Sequence, residues 1–443
     1  MKFVLLWSDF LFFLLVAGGV IFGLWARRVE HQRAAWRKVG QSRVGMAAAT
    51  VLVLFLAVAL LDSVHYRERL PGEGEHYAVE VRSVLDALLT PLRTRPEKTY
   101  SAPLATHSFA KENIAGEGRD FPRLKFGGAH LGEALSRHGA DIALRCAQGL
   151  GLGAVAGLAL WLAGLPLRRR APHLAWDAVF VTLGVFCLIA GPLAMLAQGY
   201  HVLGTDKVGQ DVLYLTLKSI RTGLLIGTLT TLIMLPAAIF LGILAGYAGG
   251  WIDDVIQYLY TTLNSIPGVL LIAAAVLMMQ VMIDTHPQWF STSAERADAR
   301  LLALCAILGL TSWTGLCRLL RGETLKLREL EYVQAARALG VSSGRILTRH
   351  ILPNVMHLVI IAIVMDFSGL VLAEAVLSYV GIGVDPNTIS FGTMINTARM
   401  ELAREPMVWW SLTAAFVFMF VLVLAANLFA DVVRDAFDPR LAR

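Results

Sequence analysis

The feature that most restricts this chain is a succession of long apolar runs, most of them separated by only short polar stretches. A helix needs roughly 20 mainly apolar residues to cross the hydrocarbon core of a bilayer. About nine runs qualify: Phe3–Trp25, Val44–Leu61, Ile142–Leu165, Trp176–Ala197, Leu217–Ala245, Val255–Ile283, Leu301–Leu320, Val355–Val380 and Val408–Phe429. The fifth, sixth and eighth are long enough to tilt or to run on into the interface. Of the 443 residues, 56% are hydrophobic and 16% charged, whereas soluble domains carry about 25% charged residues. Such a chain cannot cover a water-soluble surface, so the expected fold class is an all-α polytopic membrane protein. The first run lacks the basic flank and small-residue cleavage site of a signal peptide. Basic ARRVEHQRAAWRK follows it, and it reads as a retained span.

The net charge of +6 gathers in short clusters, Arg27–Lys38, Leu167–Arg170 and Arg318–Arg349. Basic loops stay on the cytoplasmic side. Nine spans with the N-terminus outside place all three clusters, and the C-terminal RDAFDPRLAR, inside; removing one span would put a cluster on the wrong side. They come as short clusters between apolar runs and build no aromatic-interleaved basic domain, which argues against nucleic acid as a partner. Between the second and third spans lies a hydrophilic segment, 62–141, with Pro71, Pro91, Pro96, Pro103 and Pro122. The same topology makes it extracytoplasmic, as a small domain or an irregular loop. The organisation is therefore two N-terminal spans with a basic loop (1–61), the hydrophilic segment (62–141), a third span with a basic loop (142–175) and a six-span core (176–443).

No G-x-x-x-x-G-K-[ST], H-E-x-x-H or G-x-S-x-G sequence occurs, so nucleotide, zinc-protease and serine-hydrolase chemistry have no anchor. The glycines of Gly149–Gly157 follow no strand and suit close helix packing. Cys146, Cys187, Cys305 and Cys317 form no C-x-x-C pair and read as small packing residues, with no metal site.

One polar island stands out between two core spans: EYVQAARALGVSSGRILTRHILPN, Glu331–Asn354. Leu330, Val333, Ala336 and Leu339 recur at helical spacing and predict one apolar stripe. Gly340 suits a helix end with positive φ, Ser342 and Ser343 are placed to cap a second helix, and Pro353 opens the next span. Ala335, Ala336 and Ala338 leave a flat surface. These residues fit a helix gripped by a partner, and equally one that seats on lipid.

QAARALG and the following HILP resemble the E-A-A loop of binding-protein-dependent ABC transporter permeases. Gln334, Ala335, Ala336, Gly340, Leu352 and Pro353 fill that motif at matching spacing, with Gln334 in place of the usual Glu and Glu331 one turn earlier. HVLGTDKVGQDVL, with Gly204, Thr205, Asp206, Gly209 and Asp211, is similar to a segment of the oligopeptide/dipeptide/nickel type. Val202 stands there for Pro and Gln210 for Arg. LAGYAGGWIDDVIQYL, NSIPGVLL, LAEAVLSYVGIGV and LFADVVRDAFDPR fit the same family. The resemblance covers 176–443 and leaves the first spans and 62–141 without a counterpart.

The resemblance implies a type I ABC importer permease core, not an enzyme, in the bacterial inner membrane. It implies a second permease, two ATP-binding subunits holding ATP and Mg, an extracytoplasmic solute-binding protein and a di- or oligopeptide cargo. Nickel chelates, opines or peptide-like antibiotics are the alternative cargoes, and a non-transporting scaffold or sensor the alternative role. It makes 321–354 the ATPase-coupling loop, with Glu331, Gln334, Ala335, Ala336, Arg337, Gly340 and Pro353 as its contact residues. In the spans, Asp366 and Glu374 are costly at membrane depth and suit either the translocation path or helix packing. Asn264 and Pro267 interrupt the sixth run, as a hinge or a static kink.

Overall fold

The computed structural model describes residues 2–69, 76–114, 118–132, 134–290, 292–385 and 388–437. Pro71 and the terminal residues 438–443, which include the last part of the family-like LFADVVRDAFDPR, lie outside the described residues. Sixteen helices follow one another. They are α1 (Trp7–Ala26), α2 (Glu30–Gln41), α3 (Arg43–Ser63), α4 (Val84–Leu88), α5 (Thr90–Arg93), α6 (His138–Arg170), α7 (Trp176–Ala197) and α8 (Val212–Ala248). Then come α9 (Gly250–Ser265), α10 (Gly268–Thr285), α11 (Ser293–Arg328), α12 (Glu331–Ala338), α13 (Ser343–Ile346), α14 (Leu352–Val380), α15 (Phe391–Glu401) and α16 (Trp410–Phe437). Strands β1 (Lys2–Val4), β2 (His65–Arg67) and β3 (Arg82–Ser83) form one antiparallel sheet, and β4 (Glu112–Ile114) and β5 (Gly118–Asp120) a hairpin. Among the described residues, nine helices are long and apolar enough to cross a membrane, the number expected from the runs.

Several span boundaries differ from the sequence reading. Phe3 belongs to β1, and the first span starts at Trp7. The fifth and seventh spans run past the expected bounds: the largely apolar turn Val212–Leu217 extends α8, and the polar turns Ser293–Leu301 extend α11. The sixth run is two helices rather than one, broken beside Asn264 and Pro267, and only α10 is a span. The cause is Pro267. A residue before proline is pushed out of the α region, and Ile266 is extended (φ −89°, ψ 131°) while Pro267 becomes the N-cap of α10.

The chain divides into two compact units. The first holds Met1–Leu5, Trp25–Gly223 and Thr388–Val432. In it α6 and α7 pack with almost no gap. A Cβ on Gly149 would press on the Pro192 backbone, one on Gly153 on the Cys187 carbonyl, and one on Gly191 on the Gly149 carbonyl. Small residues are what allow this approach. The second unit holds Leu6–Leu24, Leu224–Asn387 and Val433–Arg443. Its core gathers Met234, Ala238, Trp313, Leu316, Leu320, Ile346, Ile351 and Val355. There α8 crosses α11 closely, since Gly242 faces the Cys317 carbonyl and Gly246 faces Thr324. The added helix α1 is tied to this unit through Ser8, whose N–H donates to Asp298 Oδ2 at 3.1 Å and whose hydroxyl bonds the same carboxylate.

Candidate functional site

The polar island of the second unit folds as a helix, a turn and a second helical stretch. Leu330 is the extended N-cap of α12 (φ −74°, ψ 141°), and Val333 and Ala336 enter the core beside Ile346 and Ile351. Gly340, at φ +75°, ends the helix. Its N–H donates to Arg337 O at 3.1 Å and the Val341 N–H to Ala336 O at 3.0 Å, the paired bonds of a Schellman ending. Ser342 occupies the next N-cap, but its hydroxyl makes no capping bond; its carbonyl accepts from Arg345 and Ile346. A π-helical turn, Leu347–Ile351, joins α13 to α14, with Pro353 in the first turn of α14.

The expected apolar stripe is only half buried. Val333 is 2% exposed, whereas Leu339 is 84% exposed. The reason is local: the helix stops at Ala338, and Leu339 (φ −78°, ψ 6°) turns out of the helical path. Glu331, Gln334, Ala335, Arg337 and Gly340 are all exposed beside it. Gln334 Nε2 donates to Glu329 O at 3.2 Å. A cavity of about 550 Å³ opens here, lined by Tyr247, Arg328, Val333, Gln334 and Arg337. Its floor is rigid. Arg321 Nε and a terminal nitrogen bond the two Asp253 oxygens at 2.5 and 2.7 Å, and that bonding holds the Asp253 carboxyl below its ordinary range.

The other singled-out residues are apart from this element. Asn264 Oδ1 accepts from Thr314 Oγ1 at 3.1 Å, which links the end of α9 to α11. Glu374 is buried and accepts from Ser378 Oγ at 2.7 Å. Asp366, two turns earlier, is half-buried.

In the first unit, Gly204–Asp211 forms a closed loop, and described residues of the 62–141 segment, among them Glu97 and Ser101, are bonded to it. Thr205 and Asp211 bridge, and Asp206 Oδ1 accepts from the Val208 and Gln210 N–H groups at 3.0 and 2.8 Å. Gly209 (φ +76°) lies so close to Glu97 that a Cβ would overlap the Glu97 carbonyl. The Glu97 N–H donates to Gly209 O at 2.9 Å. Ser101 and Thr205 are doubly joined: Ser101 N–H donates to Thr205 Oγ1 at 2.7 Å, and Thr205 N–H to Ser101 O at 3.1 Å. Trp410 Nε1, from α16, donates to Thr205 O at 2.9 Å, while Tyr100 and Phe109 meet the Trp410 ring edge-on.

Two buried charge triads complete this seam. His201 Nδ1 lies 2.8 Å from Asp211 Oδ2 and Nε2 3.4 Å from Glu97 Oε1. Burial disfavours the imidazolium, but the two carboxylates overcome it and push His201 up to about 9. Glu97 is likewise buried, yet His201 and the N–H groups of Lys125, Phe126 and Gly127 hold it down to about 2. In the second triad Lys218 Nζ, on α8, is 3.0 Å from Asp62 and 2.8 Å from Asp86. Burial of Asp86 opposes its charge, but Lys218, the Ser83 N–H and Tyr214 OH keep it at about 2. Sequence reading found the loop but not Glu97, Ser101 or Trp410. Their partners in and beside the 201–211 loop are over a hundred residues away, and no local periodicity signals such pairings.

Residues 238–443 match the family described as "Binding-protein-dependent transport system inner membrane component". The oligopeptide transport system permease protein OppC of Mycobacterium tuberculosis is 34% identical over 239 residues, 54% of this chain and 76% of that protein. The chain belongs to this permease family. The permease is also similar to the glutathione transport system permease protein GsiD of Pectobacterium atrosepticum, 33% identical over 54% of this chain and 73% of that protein. The dipeptide transport system permease protein DppC of Bacillus subtilis is 28% identical over 62% of this chain and 85% of that protein. A solved MetNI methionine ABC transporter chain shares 17% identity, with a TM-score of 0.35, over 49% of this chain and 93% of that chain.

Proposed function

We propose that this permease is the membrane subunit of a type I ABC importer that carries di- or oligopeptides across the bacterial inner membrane. It works with a second permease, two ATP-binding subunits and an extracytoplasmic solute-binding protein. ATP and Mg are held and used on the ATP-binding chains. The observation that carries this reading is α12: Val333 and Ala336 fasten it into the core, while Ala335, Ala338 and Leu339 present an exposed, small-residue and apolar face beside the 550 Å³ cavity. Motion of a partner that grips this face passes directly into α8, α11 and α14, which share its core. The two transport states must differ in free energy of contact at that face for ATP to drive the change. The peptide cargo rests on the relatives named for oligopeptides and dipeptides.

Purification of the tagged full chain from its native membrane, with mass spectrometry of what accompanies it, tests the reading. A second permease, Walker-motif ATPases and a peptide-type binding protein are the expected companions. A lone chain, or unrelated envelope proteins, would overturn it.

A further inference from the structure

We infer that the 62–141 segment is a fixed brace: it stays docked on the core throughout the transport cycle and holds the ends of α8 and α16 and the 201–211 loop in one register. The inference rests on the transport reading above. An element that opens in each cycle must come from the low-stability end of a structure, with few buried contacts and solvent-exposed hydrogen bonds. This seam is the opposite. Thr205 is fully buried: its hydroxyl donates to Thr99 O and accepts from the Ser101 N–H, and its carbonyl accepts from Trp410 Nε1. Undocking would leave His201 facing only Asp211, and Lys218 without Asp86. A buried charge that loses a partner is strongly unfavourable. Backbone bonds also cross the seam at Leu104 to His201 and Gly128 to Gly199, at 2.9 and 2.8 Å. One segment thus reaches a core loop and the starts of two core spans, a spacing element that the family-like part of the chain does not contain.

Fixing the seam covalently decides between a brace and a moving lid. The Ser101 and Thr205 hydroxyls are in direct contact at 3.1 Å, so cysteines at these two positions are the pair to cross-link across the seam. Ser101→Cys/Thr205→Cys is made in the full chain and assembled with its partner subunits, and uptake of labelled trialanine is measured oxidised and reduced. For a brace, oxidised uptake stays within about twofold of reduced uptake. For a lid, oxidation lowers it by about tenfold or more and reductant restores it, which overturns the inference. A second measurement uses the unaltered complex, so it holds if the double variant fails to assemble or to oxidise. Hydrogen exchange at the Leu104, Gly128 and Thr205 amides is compared with and without ATP. Equal protection supports the brace, and loss of protection in either state overturns it. Absence of trialanine uptake by the unaltered complex counts against the peptide reading alone, and hydrogen exchange then decides the brace.

Discussion

His201 shows how much a single side chain can carry at this seam. It sits between Asp211 and Glu97, with its folded-state pKa raised from 6.5 to about 9. A raised pKa contributes stability that is fully present below the unfolded value and is lost as pH rises through the folded one. Glu97 has the opposite sign: its pKa falls from 4.5 to about 2, so its contribution is present above 4.5 and lost as pH falls through 2. The joint is therefore strongest between those two unfolded values, near pH 4.5 to 6.5. The thermal midpoint of the detergent-purified chain should fall as pH rises from 6.5 toward 9, by an amount His201→Gln abolishes. His201→Gln should also lower the midpoint at pH 6, because Glu97 and Asp211 then share a buried site without their cation. A wild-type curve that is flat across this range would show that the triad adds nothing.

At the scale of elements, α12 ends by backbone geometry, and that makes a clean contrast available. No atom lies within 4 Å of where a Cβ on Gly340 would stand, so substitution there meets only the cost of φ +75°. That cost is about 1–2 kcal/mol for an ordinary L-residue and less for Asn, which visits this region. Gly340→Asn should keep most peptide uptake. Gly340→Val, β-branched as well, should lose it while membrane insertion and expression are unchanged. Equal uptake by the two variants would show that this turn does not set the coupling face. Gly340, Pro353 and the helical pattern of α12 were legible in the sequence, because their signals are local: an αL ending, a proline in a first turn and an apolar period. Leu339 was misread because periodicity does not say where a helix stops. Pro267 was read as a bend, since hydropathy alone runs unbroken through Val255–Ile283, and only the backbone of Ile266 turns that run into two helices. The seam at Glu97, Ser101 and Trp410 was not legible at all, because it joins residues whose only shared property is being close once folded.

The first unit has two chemically distinct ends, which bears on how that unit is oriented. The loop after α1 and the loop after α6 are separated by two spans and meet at one end of the unit: the Ala175 N–H donates to Gly40 O at 2.8 Å. Asp177 pairs there with Arg43 at 3.7 Å and Arg168 at 3.6 Å. The end of α16 is at this end too, since a Cβ on Gly45 would lie 2.8 Å from Val432. Residues of the 62–141 segment instead meet the last residues of α3, the first turns of α8 and the start of α16. Within this unit the basic clusters and the hydrophilic segment thus lie at opposite ends of the same helices. Lys and Arg are retained on the cytoplasmic side, so we predict that the basic end faces the cytoplasm and the segment faces outward. Replacing the four native cysteines by alanine and adding one probe cysteine tests this in spheroplasts with a membrane-impermeant maleimide. Lys111→Cys should label directly, and Arg37→Cys only after permeabilisation. The reverse pattern would invert the topology of this unit and show that its basic clusters do not set which end stays inside.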